Sequence, residues 1–242
     1  MFTTNDYQQL TLLMNSSPEY SGLIHKLMDS YQFTISKISH ELRNPLTLIY
    51  STLQLIESQH PEVKEFRHWP QMIEDVEFTT ELLNELSIYN NSQHLNLTTF
   101  DFQKFIKHIA LSFAASITDA DIEFTSKIDS SLPQITGDKT KLQEIFLNLL
   151  KNAQEAVGPG GSIRLNSYVE GNFAVIKISD TGCGIESERI DTIFTPFVTY
   201  KQGGSGLGLP IVQSTVLAHN GTVTVDSVEG EGTCFTVSLP IQ

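Results

Sequence analysis

The sequence is poor in cysteine, tryptophan and positive charge. Two cysteines among 242 residues, Cys183 and Cys234, cannot build a disulfide framework, which points to a reducing compartment. Fifteen lysines and arginines against 28 aspartates and glutamates leave a formal charge of −13. A balance this acidic excludes a phosphate-tracking nucleic-acid binder, which needs a basic face. A long apolar run is missing too. The longest stretch without a charged side chain, Gln202 to Val225, contains five glycines, Pro210, Gln213, His219 and Asn220, and cannot span a bilayer as an apolar helix. Residues Met1 to Leu10 lack the basic-then-apolar layout of a secretory signal. The expectation is a cytoplasmic protein with no nucleic-acid partner and no membrane insertion by this chain. With 40% hydrophobic and 18% charged residues the chain can bury a core, and its length suits one large domain or two modest ones.

Two halves read differently. From Ser17 to about Asn91, apolar residues recur at alternating steps of three and four. One series is Ile24, Met28, Tyr31, Ile35, Ile38 and Leu42, resuming at Ile49, Leu53 and Ile56; the other is Phe66, Trp69, Ile73, Val76, Thr80, Leu83 and Leu86. Such spacing draws one stripe along an α-helix, and sustained heptads indicate helix-on-helix packing. Ser17-Pro18 offers an N-cap serine and a first-turn proline. Ser58-Gln59-His60-Pro61 reads as a short turn between two long helices, and Pro70 predicts a bend in the second. Two helices with one stripe each make a thin hairpin, so a homodimeric four-helix bundle is the economical solution. A hairpin folded onto the second half is the alternative.

Beyond Asn91 the chain reads as mixed α and β. Helices are expected over Phe102 to Ala115, Lys139 to Val157 (with Asp138 as N-cap) and Leu207 to His219. Strands are expected over Asp121 to Ile128, Ser162 to Val169, Phe173 to Ser179, Thr222 to Ser227 and Thr233 to Leu239. This is a sheet with helices on one face. The fold class is therefore α+β: a helical hairpin forming a dimeric four-helix bundle, followed by an α/β sandwich. Residues 1–18 form an N-terminal segment, 19–91 the hairpin and 92–242 the sandwich, with Ile88 to Gln93 joining them.

Chemistry concentrates in a few short motifs. His40 lies between Ile38 and Leu42, at the edge of the first stripe or outside it, with Arg43 and Asn44 on its helix face. Glu41 must curl back to reach the imidazole, and Pro45 removes a donor to the Glu41 carbonyl and predicts distortion there. A neutral imidazole is a competent nucleophile if a base relieves its other nitrogen of the proton, and Glu41 is the candidate base. In the second half, Glu144, Asn148 and Asn152 form a polar line along one helix. Amide oxygens suit Mg²⁺ once phosphates supply negative charge. Asp180, directly after a strand, can accept from the 6-amine of adenine, while Gly182 and Gly184 admit close backbone approach to a flat base. The run from Gly203 to Leu209 leads into a helix whose free N–H groups can meet phosphates. It is neither a P-loop nor a dinucleotide fingerprint.

The run His40-Glu41-Leu42-Arg43-Asn44-Pro45-Leu46 resembles the phosphoacceptor motif of two-component sensor histidine kinases. Asn148 and Asn152 resemble the N box of that family, Asp180 to Gly184 the G1 box and Phe194 to Phe197 the F box. Gly204 to Gly208 resembles the G2 box, and Gly230 to Thr233 the last glycine-containing box. The resemblance covers roughly residues 35–240. It implies a Bergerat-type ATP-binding sandwich and transfer of the γ-phosphoryl group of ATP to His40, assisted by Glu41 and Arg43. The acceptor from His40 is then an aspartate on a response regulator receiver domain. It also implies a phosphatase role for Asn44, Asn152 as Mg²⁺ ligand supported by Asn148, and Thr233 backing an adenine-reading Asp180. Gly204, Gly206, Leu207 and Gly208 would line the phosphates, with Lys201 the side chain that reaches them from a lid spanning Val198 to Ser205. Thr195, Val198 and Tyr200 depart from the usual F-box region, and Cys183 is expected to pack. An upstream sensor protein is the expected source of the signal. A phosphotransfer scaffold without autokinase activity and a gyrase- or Hsp90-like ATPase clamp are the alternatives.

Overall fold

A computed structural model describes residues 17–118, 120–201 and 203–241. Residues 1–16 of the expected N-terminal segment, Gln202 of the expected lid and the Met28 side chain lie outside what is described. The chain forms two compact units, Met1–Asn91 and Ser92–Gln242.

In the first unit, helix α1 (Pro18–Gln59) and helix α2 (Trp69–Asn91) pack as a hairpin. The connection is longer than the expected four-residue turn. A 3-10 helix, Pro61–Glu65, follows His60, and α2 starts only at Trp69. Phe66, expected in α2, therefore sits exposed in the connection. Pro70 falls in the first turn of α2, where its missing N–H costs nothing, so the expected bend has no basis. Helix α1 runs unbroken through Pro45. Leu53, Val63 and Trp69 close this end of the hairpin, with Ile56, Ile73 and Val76 packed around them. Glu57 accepts from the Trp69 indole at 3.1 Å and pairs with Lys64 at 2.8 Å.

The seam inside the hairpin differs from the expected stripe. Its innermost residue on α1 is Ser39, fully buried, whose hydroxyl donates to the Ile35 carbonyl at 2.9 Å. Tyr50 reaches across to donate to Glu77, and Asn90 donates to the Gln32 carbonyl. Ile38, Leu42 and Ile49 of the expected stripe are instead 47–49% exposed. The stripe is thus met near the connection, where Leu53 and Ile56 pack toward α2, and missed in the stretch around His40. Of the expected junction, Ile88 to Gln93, the part through Asn91 is helical.

The second unit is a five-stranded mixed sheet in the order β2-β4-β5-β7-β6: Ile122–Ile128, Gly161–Glu170, Phe173–Asp180, Gly232–Pro240 and Thr222–Val228. The pair β2–β4 is parallel and the others antiparallel. Helices α3 (Phe102–Ser116), α4 (Lys139–Ala156) and α5 (Gly208–Ala218) pack on it. Burial alternates along β7, as one covered face requires. Two four-residue strands, β1 (Thr98–Asp101) and β3 (Gln134–Gly137), pair only with each other and were not expected. Both are too short to carry a readable alternation.

Helix α4 is fixed at its N-terminus by a buried node. Asp138 caps it, accepting from the Lys141 N–H at 3.2 Å, and accepts from the Asn96 N–H at 2.9 Å. Burial pushes the Asp138 carboxyl up, but these backbone donors and Lys141 outweigh it and hold the group below its ordinary range. His219 accepts the Asp138 N–H at Nε2 (2.9 Å) and faces the Thr215 carbonyl at Nδ1 (2.8 Å). That pattern fits the neutral ring protonated at Nδ1, and burial lowers the His219 pKa. The unfolded ring titrates near about pH 6.5, so below that pH the unfolded chain binds more protons than the folded one. Stability is therefore full above pH about 6.5 and declines as pH falls below it. Thermal unfolding between pH 7.5 and 5.5 should show a falling Tm in the wild type and a flatter profile in His219→Gln.

Candidate functional site

Sequence-predicted residues fall into one group on each unit. On the hairpin, His40, Glu41 and Asn44 are exposed on α1, on the outward side of buried Ser39. The Arg43 guanidinium approaches His40 Nδ1 at 3.4 Å. Arginine only donates, so this contact favours the neutral ring with its proton on Nε2. Arg43 lies partly in the seam, where its Nε is buried without a partner, as is one carboxylate oxygen of Glu85. Glu41 lies 3.9 Å from Lys37, one turn back, and does not curl toward the ring as expected.

On the sandwich, the strand ends and helix termini converge. The register places Asp180 opposite Thr233, and Thr233 opposite Ser227. Asp180 Oδ1 accepts from the Gly182 N–H at 2.8 Å and the Thr233 N–H at 3.3 Å. Among the described residues both bonds land on one oxygen, leaving Oδ2 for an outside donor. Burial raises the Asp180 pKa against the pull of these N–H groups and of Lys201.

Thr233 thus backs Asp180 through its main chain, while its hydroxyl meets Ser227 Oγ at 2.9 Å. Ser227 also accepts the Ile185 N–H and donates to the Gly232 carbonyl, both at 2.9 Å. It ties the loop after β5 to the turn before β7. Sequence reasoning missed Ser227, because its only signal is a register that strand pairing supplies. Cys183, expected to pack, is exposed; its main-chain N–H donates to the Ala156 carbonyl at 3.1 Å and its thiol to the Gly184 carbonyl at 3.5 Å.

The glycines sit where a side chain has no room. A Cβ at Gly182 would stand 2.6 Å from the Ala156 carbonyl oxygen, one at Gly184 2.1 Å from that of Val228, and one at Gly232 2.0 Å from that of Asp180. At Gly206 (φ +71) a Cβ would press on the Phe197 backbone, and Phe197 itself holds φ +64. Leu207 is fully buried and anchors the start of α5. Gly208 accepts from Asn148 Nδ2 at 3.1 Å, linking α4 to the first turn of α5. Lys201 Nζ lies 3.3 Å from Asn152 Oδ1 and 2.8 Å from Glu155. A cation already rests at the Asn152 amide oxygen, so that donor fits Mg²⁺, a hard cation served by oxygen. Gly204 N–H closes onto the Lys201 carbonyl at 3.2 Å.

A half-buried carboxylate at a strand end, close-approach glycines and a glycine-led helix N-terminus define a nucleotide-binding α/β sandwich. Residues 137–242 match the family model "Histidine kinase-, DNA gyrase B-, and HSP90-like ATPase". Sensor histidine kinase ZraS of Escherichia coli (strain K12) is 32% identical over 205 residues, covering 84% of this chain and 44% of ZraS. The structure of full-length ShkA in complex with AMPPNP is 25% identical, with TM-score 0.73 over 86% of this chain and 45% of that one. The mycobacterial sensor histidine kinase MprB is 30% identical, with TM-score 0.50 over 59% of this chain and 96% of that one. The chain belongs to the sensor histidine kinase family. It spans less than half the length of ZraS.

Gly232 offers a sharp test, because it combines φ +129 with backbone contact at Asp180. Gly232→Ala should lose about 1–3 kcal/mol of stability and bind a fluorescent ATP analogue at least about tenfold more weakly, a factor worth about 1.4 kcal/mol. Urea unfolding and fluorescence titration measure the two effects.

Proposed function

We propose that this chain is the ATP-dependent protein-histidine kinase core of a two-component system, phosphorylated on His40 and donating to an aspartate of a response regulator receiver domain. The observation that carries the reading is one chain bearing an exposed imidazole beside a donor-only guanidinium, and a separate unit built to cradle a nucleotide.

Phosphoryl transfer asks little covalent chemistry of a protein, so alignment and charge dominate. His40 Nε2 attacks the γ-phosphorus; the P–N bond forms as the bond to the bridging oxygen breaks, and ADP leaves. Nε2 must carry no proton at that moment. The ring therefore needs its proton on Nδ1, the nitrogen that Arg43 now faces. In our reading Arg43 withdraws and Glu41 swings from Lys37 to accept the Nδ1 proton. Arg43 can then stabilise charge on the transferred group. Asn44, one turn further on, directs water onto the phosphorylated regulator. Asp180 reads the adenine amine, and Gly182, Gly184 and Thr233 shape that corner. Gly204, Gly206, Leu207 and Gly208 present backbone to the phosphates, and Lys201 reaches them. Asn152, supported by Asn148, would hold Mg²⁺, which supplies charge neutralisation at the phosphates.

Exposed Tyr31, Ile38, Leu42 and Ile49 on α1 support a homodimer, since such an apolar surface on a lone hairpin needs a cover. The free cysteines and the dependence on ATP support a cytoplasmic location.

Incubation with γ-labelled ATP should give acid-labile, alkali-stable label on the wild type and none on His40→Gln. Steady ATP turnover that survives loss of His40 would instead indicate an ATPase clamp. Asn44→Ala should keep the label but slow dephosphorylation of the regulator by about tenfold or more, within the range that positioning groups contribute. In sedimentation velocity the wild type should run as a dimer, and the pair Ile38→Glu, Leu42→Glu as a monomer.

A further inference from the structure

Resting on that nucleotide reading, we infer that Glu155 is a lid-positioning residue, holding Lys201 over Asn152 until a nucleotide draws the lysine away. Asn148, Asn152 and Glu155 are spaced four and three apart on α4 and so share one face. Lys201 Nζ meets two of them, at 2.8 Å from Glu155 Oε2 and 3.3 Å from Asn152 Oδ1.

Its neighbour in the lid is held as well. The Arg189 guanidinium lies 4.4 Å over the Tyr200 ring, and the Tyr200 hydroxyl meets Thr192 Oγ1 at 2.8 Å. The Lys201 N–H bonds Thr199 Oγ1 at 3.2 Å. Two successive lid side chains, Tyr200 and Lys201, are thus each tied to a different element.

The place of Lys201 conflicts with a loaded site. Mg²⁺ binds oxygen at about 2.1 Å. An ammonium 3.3 Å from the same amide oxygen would crowd and repel it. Phosphates, in turn, compete with Glu155 for the lysine. Lys201 therefore has two alternative partners, and exchange between them accompanies nucleotide entry. Both side chains of the ion pair are roughly half exposed, at 47% and 42%, so the contact is weak enough to open in each cycle.

Removing the Glu155 charge should free Lys201 and tighten nucleotide binding by about 2–5-fold, the range of an exposed ion pair. The measurement is fluorescence titration of the full chain with a mant-labelled ATP analogue, in EDTA and in Mg²⁺. Wild type, Glu155→Gln, Lys201→Met and the double variant complete the cycle. The expected result is tightening by Glu155→Gln in the wild-type background only, shrinking as salt rises. An equal effect in the Lys201→Met background would mean that Glu155 merely repels phosphate, and would overturn the inference. So would weaker or unchanged binding by Glu155→Gln alone. Wild-type protein that fails to bind the analogue at all would overturn the nucleotide reading and this inference together.

Discussion

Everything in the sandwich depends on the rotational setting of helix α4. Leu142, Ile145, Phe146, Leu149 and Leu150 are fully buried along one side, and Ala153 nearly so. Rotating the helix by one residue would drive polar side chains into that core and expose large apolar ones, at about 1.5–3 kcal/mol for each large side chain. The setting is locked at the start by Asp138, which caps the helix and takes the Asn96 N–H, and by His219, which takes the Asp138 N–H. Asn152 and Glu155 face Lys201, and Asn148 the first turn of α5, as a consequence of this packing. They need no local device of their own.

The far end of the same helix shapes the corner that holds Asp180. The Cys183 N–H donates to the Ala156 carbonyl at 3.1 Å, and Gly182 packs so closely on that carbonyl that no side chain fits. One helix therefore carries Asn148 and Asn152 and also forms a wall of the Asp180 corner. This is why the glycines matter as a set. Gly182 lets the loop approach α4, Gly184 lets it approach Val228, and Gly232 lets the last turn approach Asp180. Losing any one shifts the loop that holds the Asp180 carboxylate.

Such close approaches are what a sequence can record. Glycine tolerates backbone contact and positive φ where other residues do not, so the glycine-containing boxes and Asp180 are legible in the order of residues alone. The Asp138 cap and the α4 periodicity are legible for the same kind of reason, because local chemistry sets them. The hairpin seam is legible only in part: Leu53, Ile56, Trp69, Ile73 and Val76 pack as their spacing predicts, and the stretch around His40 does not. A count of apolar residues selects the more apolar face of α1, and that face, through Ile38, Leu42 and Ile49, is exposed in the single chain. The seam itself uses Ser39, Tyr50 and part of Arg43, residues that hydropathy discards. Ser227 escapes because its importance arises from register: it stands opposite Thr233, which stands opposite Asp180. Strands β1 and β3 escape because four residues carry too little pattern.

The chemistry at position 148 separates a kinase reading from an ATPase reading. Hydrolysis by direct attack of water calls for a group that can take the water's proton. A carboxamide cannot do so, because its oxygen accepts hydrogen bonds without holding a proton and its nitrogen only donates. Asn148 is further constrained, since its nitrogen donates to the Gly208 carbonyl. A carboxylate there would place two acceptors against each other, at a cost of about 1–3 kcal/mol for the unsatisfied carbonyl. Of the two acids that share this face, Glu144 and Glu155, the second is paired with Lys201. A carboxamide at position 148 thus suits a site that holds a nucleotide without activating water beside it, and under the proposed function the exposed imidazole of His40 supplies the nucleophile.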